Sequence, residues 1–176
     1  MDIISHILLG LSVSNFVDST EEKVMILLGS VLPDIGEVFI QRELNMKYGA
    51  KFGVYDERTS DNIIATDIRV TWIYDLLHSP TFLCTLLTIG QFYQNDYIKW
   101  LTVGGLFHLT LDFATHGKVW ALKLLFPISN KRFPILDNII GNWWDWKPQF
   151  YIPFTKIALP KYCLIFWLFF IFLFYV

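Results

Sequence analysis

Ionisable residues set inside apolar, helix-like runs constrain this chain more than any other feature of its sequence. All four histidines lie in such runs, each with a carboxylate or hydroxyl nearby: Ser5-His6, Asp75-Leu76-Leu77-His78-Ser79, and His108 followed by Thr110, Asp112, Thr115 and His116. A polar group in apolar surroundings costs roughly 1–3 kcal/mol unless it is paired. Any fold of this chain must therefore supply each of these groups with a partner, and a metal ion is the partner that uses several of them at once.

The surroundings are apolar by composition too. Hydrophobic residues make up 54% of the 176 residues, charged residues 17%, and mean hydropathy is +0.44. Those values lie on the membrane-protein side of the usual soluble range. The length suits one domain with one core. A net charge of −2 gives no electrostatic case for a nucleic-acid partner. Cys84 and Cys163 both fall in apolar runs and read as buried small hydrophobes rather than a disulfide framework. Asp2 precedes the first apolar run, so a cleaved signal peptide is not expected.

Apolar runs and breakers predict an all-α helical bundle. Ile3 to Val17 forms the first helix, and Ser19 or Thr20 with Glu22 caps a second that breaks at Pro33. Residues 41–70 carry mixed charge and read as a polar insertion, a loop with short helices or a lid over a site. Val70 to Leu77 is followed by Ser79-Pro80, an N-cap and first-turn proline for a helix running to about Tyr93. A turn at Gln94-Asn95-Asp96 leads to a third long helix over Lys99 to Thr115, with Gly117 as its stop. Trp143, Trp144 and Trp146 beside Lys131, Arg132 and Lys147 match either a membrane–water interface or a solvent loop with an aromatic cluster. Residues 158–176 read as an apolar C-terminal membrane helix, although Pro160 and Lys161 interrupt it.

The strongest geometric signal is His108 with Asp112. Four residues apart on a helix, they share one face about a turn apart, as a two-ligand clamp requires. The plain alternative has His108 donating to a backbone carbonyl and Asp112 capping a neighbouring helix. His116 falls near the same stripe. Asp34 follows a helix break and is free either to point into a cavity or to start a turn; Glu37 is three residues on. Asp75 lies one turn before His78, placed to coordinate with it or to orient its ring. A lone histidine such as His6 is ordinarily a surface or interface residue.

These motifs resemble, in order, those of the membrane-bound metal-dependent hydrolase family, which includes bacterial inner-membrane proteins under LexA control. The residues are Ser5-His6, Leu9-Gly10, Gly29-Ser30-Val31-Leu32-Pro33-Asp34, His78-Ser79, His108-x-x-x-Asp112-x-x-Thr115-His116-Gly117 and Leu125-Phe126-Pro127. That family is grouped by resemblance with the zinc-dependent phospholipase C and single-strand nuclease enzymes, which are all-helical. The resemblance implies a membrane-embedded bundle with a metal site between helices, formed by His6, Asp34, His78, His108 and Asp112. It further implies Asp34 or Glu37 as general base, with Asp75, Thr115 and His116 supporting the ligands. Related sequences often read Pro-Asp-x-Asp and Arg-Gly-x-Thr-His-Ser; this chain has Pro33-Asp34-Ile35-Gly36 and Tyr74-Asp75-Leu76-Leu77-His78-Ser79, without the arginine.

The expected activity is metal-assisted hydrolysis of a phosphoester on a lipid or lipid-linked substrate in a multi-pass membrane protein of the bacterial inner membrane or its equivalent. One or two divalent ions, zinc first, would activate water. Two rival readings remain: a non-enzymatic membrane protein with a structural His/Asp metal site, and a metal or proton transporter.

Overall fold

A computed structural model describes residues 3–48, 68–116, 121–133, 149–151, 158–160, 167–169 and 171–173. Its helices are α1 (Ile3–Ser14), α2 (Thr20–Val31), α3 (Ile35–Tyr48), α4 (Ile68–Leu77), α5 (Pro80–Phe92) and α6 (Asp96–Thr115). A 3-10 turn (Leu32–Asp34) joins α2 to α3, and two short antiparallel strands, β1 (Gln149–Tyr151) and β2 (Ala158–Pro160), form a ribbon. The all-α expectation is met by everything that builds the core.

Local chemistry sets the helix ends. Ser19 accepts from the Glu22 amide at the start of α2, and Glu21 and Glu22 occupy its positive first turn. Pro33 ends α2 at Val31, but the chain turns rather than leaves, and α3 begins at Ile35. Ser79 caps α5 with Pro80 behind it, and its hydroxyl also donates to the Phe126 carbonyl at 2.7 Å. Gln94 takes a left-handed conformation (φ 51°) at the α5–α6 turn, and Asn95 then accepts from the Ile98 amide at 3.0 Å.

Helix α6 is the hub. It packs against α2 and α5 and touches α1, while α3 packs on α4. Two glycines allow the α2–α6 backbones to meet. A Cβ on Gly104 would lie 2.1 Å from the Ile26 carbonyl oxygen, and one on Gly29 1.9 Å from that of Leu101. On the α5 side, Leu83, Leu109 and Leu122 form the core, with Phe82, Leu86, Leu106, Phe113 and Leu124 around them. Trp167 donates to Ser5 at 3.1 Å, which brings the C-terminal segment beside the start of α1.

Two expectations change, for the C-terminal helix and for Cys84, and a third observation concerns helix length. Among the described residues no helix is long and apolar enough to cross a membrane. The helices of 10 to 14 residues reach only about 15–21 Å at 1.5 Å per residue, and the longer α6 carries Asp96, Lys99 and Asp112. Ala158–Pro160 pairs as a strand, so the C-terminal helix does not begin at 158; helix is seen at 167–169 and 171–173. Cys84 is exposed, on the side of α5 turned away from the Leu83 core, and is not a buried hydrophobe. Most of the polar insertion (49–67), with its lid reading, and Trp143, Trp144, Trp146, Cys163 and Gly117 lie outside the described residues.

Candidate metal centre

Five side chains from separate parts of the chain converge. His6 comes from α1, Asp34 from the 3-10 turn, His78 from the residue after α4, and His108 and Asp112 from α6. Donor atoms of His6, Asp34, His108 and Asp112 all lie within 4.8 Å of one another. His78 Nε2 closes the group, 3.2 Å from both His108 Nε2 and Asp112 Oδ2 and 3.9 Å from Asp34 Oδ1. The three histidines and Asp112 are buried; Asp34 alone retains some exposure, at 11%.

The backbone orients two of the imidazoles. His108 Nδ1 donates to the Ser30 carbonyl at 2.8 Å, and His78 Nδ1 donates to the Tyr74 carbonyl at 2.9 Å. A carbonyl only accepts, so Nδ1 carries the proton in both rings and Nε2 of the neutral ring presents a lone pair. The Gly29–Gly104 approach is what puts the Ser30 carbonyl within reach of His108. The carbonyl partner and the metal ligand, alternatives in the sequence, therefore use different nitrogens of one ring. His6 stacks on His108 with ring centroids 3.6 Å apart.

The result is a knot of acceptors. Two Nε2 lone pairs face each other at 3.2 Å, and Asp112 Oδ2 stands 2.9 Å from one and 3.2 Å from the other. His6 Nε2 is 3.1 Å from Asp112 Oδ1 without hydrogen-bond geometry, and neither His6 nitrogen has a hydrogen-bond partner. Asp34 Oδ2 has none either. A cation relieves acceptors packed this closely out of water, and this group could hold a metal ion in that role. The donor set of imidazole and carboxylate fits a divalent transition metal.

Burial sets the titration of the group. It lowers His6 to about 4 and lowers His78, keeping both neutral, with Asp112 opposing. It raises Asp34 to about 7, and Asp112 adds to the rise while His108 opposes it. For His108, burial is outweighed by Asp112, so its affinity for a proton rises. Asp112 is held well below the usual carboxylate range: burial opposes this, but His116, His108 and His6 prevail. Glu37 is raised by burial and by Asp112, which keeps it inclined to hold a proton beside the centre.

Of the supporting residues, His116 lies where expected, its Nε2 3.6 Å from Asp112 Oδ1 and its Nδ1 3.4 Å from the Tyr74 hydroxyl. Thr115 is in the last turn of α6, with its side chain outside the described residues. Asp75 does not orient His78. Its carboxylate is occupied by Thr71 at 2.6 Å and Lys123 at 2.6 Å, with Arg132 at 3.5 Å, and the Tyr74 carbonyl holds the His78 ring instead. Sequence reasoning missed Tyr74, which stacks on His78 with centroids 3.8 Å apart, and it missed Lys123 and Arg132. The available signal was Lys123 itself, a cation inside the apolar run from Leu122 to Phe126.

Compared with family models, curated proteins and solved structures, the chain matches none.

Proposed function

We propose that this chain is a metal-dependent hydrolase that holds one divalent ion, zinc first, and cleaves a phosphoester of a lipid or lipid-linked substrate. The convergence of Nε2 lone pairs and carboxylate oxygens on one point carries the reading. A tetrahedral ion with bonds of about 2.0–2.2 Å has ligand–ligand edges of about 3.3–3.6 Å. The observed donor separations run from 2.9 to 3.9 Å, on either side of that length. The close grouping of the donors supports one ion in place of two.

His6, His78, His108 and Asp112 form the buried floor, and Asp34 borders the more open side. When bound, the ion supplies Lewis acidity and an activated water. Glu37, outside the close donor group and raised in proton affinity, takes the general-base role; Asp34 is committed as a ligand. His116 braces Asp112, and the Ser30 and Tyr74 carbonyls fix two imidazoles. Membrane attachment belongs to the proposal. Mean hydropathy of +0.44 and the exposed Leu168, Phe169 and Phe172 of the C-terminal segment support it.

One rival keeps an observation in its favour. The near-complete burial of four ligands suits a closed structural site as well as a catalytic one. Transport gains no support, because the ionisable groups gather at one point instead of lining a path. The test is metal analysis of the purified protein together with turnover of a chromogenic phosphodiester. One ion per chain and turnover lost in His108→Ala and Asp112→Ala are expected. A bound ion without turnover selects the structural site; absence of bound transition metal, with stability indifferent to chelator, ends both readings.

A further inference from the structure

A second buried polar cluster lies within a helical turn of the metal centre. Asp75 is three residues before His78, and its carboxylate faces both Lys123 Nζ (2.6 Å) and Arg132 Nη2 (3.5 Å). Lys123 is 6% exposed and Arg132 16%. Two cations thus share one carboxylate away from bulk water. Among the described residues, Asp75 is the carboxylate paired with Lys123 and Arg132. An uncompensated positive charge in such a place is costly without a counter-anion.

The guanidinium is also underused. Arg132 Nη1 donates to the Ala121 carbonyl at 3.1 Å, and Nη2 makes a long ion pair with Asp75 at 3.5 Å. A guanidinium carries five N–H donors in a planar fork, the shape that grips two oxygens of a phosphoryl group. Its segment is pinned beside His78 at the start of α5: Ser79 donates to the Phe126 carbonyl, and Thr81 to that of Leu124, each at 2.7 Å. Tyr74 bridges the two clusters, stacked on His78 and next to Asp75 in sequence.

We propose that Arg132, with Lys123 behind it, is the oxyanion-recognition element of this site and holds a phosphoryl oxygen of the substrate beside the metal ion. The assignment rests on the hydrolase reading for its metal neighbour. Arg132 is a specificity-determining residue; Lys123 and Asp75 are positioning residues that hold the cluster in place.

The full chain is loaded with zinc, its metal content measured, and binding of inorganic phosphate followed by calorimetry. A second arm measures binding to vesicles of phosphatidic acid against phosphatidylcholine alone. Arg132→Gln should weaken at least one of these interactions ten-fold or more, with metal content and melting temperature unchanged. The affected arm identifies a free or a lipid-borne phosphoryl group. Arg132→Lys should recover only part of the loss, because it restores charge without the fork. Wild-type affinity of Arg132→Gln in both arms, or no wild-type binding in either, overturns the proposal. Should the wild type hold no metal, the hydrolase reading fails separately, and the phosphate comparison still decides the role of Arg132.

Discussion

At the scale of single residues, the His/Asp centre and the Asp75 cluster separate two roles that sequence spacing merged. The His108–Asp112 spacing was legible because helix periodicity alone fixes it. The partner of Asp75 was not, since Lys123 and Arg132 are 48 and 57 positions away and nothing local in α4 points to them. Asp75→Asn should therefore leave zinc stoichiometry intact. It should cost about 3–5 kcal/mol of folding stability, because Lys123 stays buried without its counter-charge; a denaturation midpoint equal to wild type contradicts this. Asp34 yields a prediction in pH. Its pKa is raised from 3.8 to about 7, so in the metal-free fold it is largely protonated at pH 6, and an ion must displace that proton. His6, lowered to about 4, is already neutral there. Zinc affinity should rise with pH up to about 7 through this group. Calorimetry at pH 6 should show protons released on binding, from Asp34 and from His108, whose proton affinity is also raised, and fewer at pH 8. Heats of binding at pH 6 that do not depend on the buffer would contradict it. For stability the two shifts have opposite signs. Asp34 costs the metal-free fold stability as pH rises from 3.8 to about 7, whereas His6 costs it stability as pH falls from 6.5 to about 4.

At the scale of elements, caps and breakers gave good boundaries. Ser19, Pro33, Ser79-Pro80 and Asn95 all act where the sequence places them, because each works through its own neighbours. The polar stretch beginning at residue 41 was read as a loop with short helices, and its first residues continue α3 to Tyr48. Its apolar residues and its contact with α4 outweigh the local charge. What spacing could not give is how α2 meets α6. Gly104 marks the crossing, and Gly104→Ala would push a methyl group to within 2.1 Å of the Ile26 carbonyl oxygen. Since backbone has to move, the change should cost about 1–3 kcal/mol. It should also weaken zinc binding, because the same contact presents the Ser30 carbonyl to His108. Unaltered stability together with unaltered zinc affinity would show that the crossing tolerates displacement.

At the scale of the whole molecule, the His/Asp group brings distant parts of the sequence to one point, where an ion would cross-link them. His6, Asp34, His78 and the pair on α6 span more than a hundred positions, and none of the five is held by a disulfide or shared strand. This is why the fold class was readable while the convergence rested on resemblance: apolar periodicity reports each helix separately, and only tertiary packing joins them. Apolar runs are equally ambiguous about a membrane, since among the described residues they form short helices packed on one another. If the ion is the link, removing it should loosen the helices that contribute ligands. A ligand present at a thousand times its dissociation constant adds about 4 kcal/mol to the folded state. Chelator should accordingly lower the thermal midpoint of wild type by several degrees, and zinc should restore it. Asp112→Asn, which keeps the shape of the side chain but removes its charge, should melt near the chelated wild type and respond to neither reagent. Hydrogen exchange should report part of the loosening in α1, which packs on α2 and reaches the centre on α6 through His6. Equal protection of α1 with and without zinc would show that packing, not the ion, holds the first helix in place.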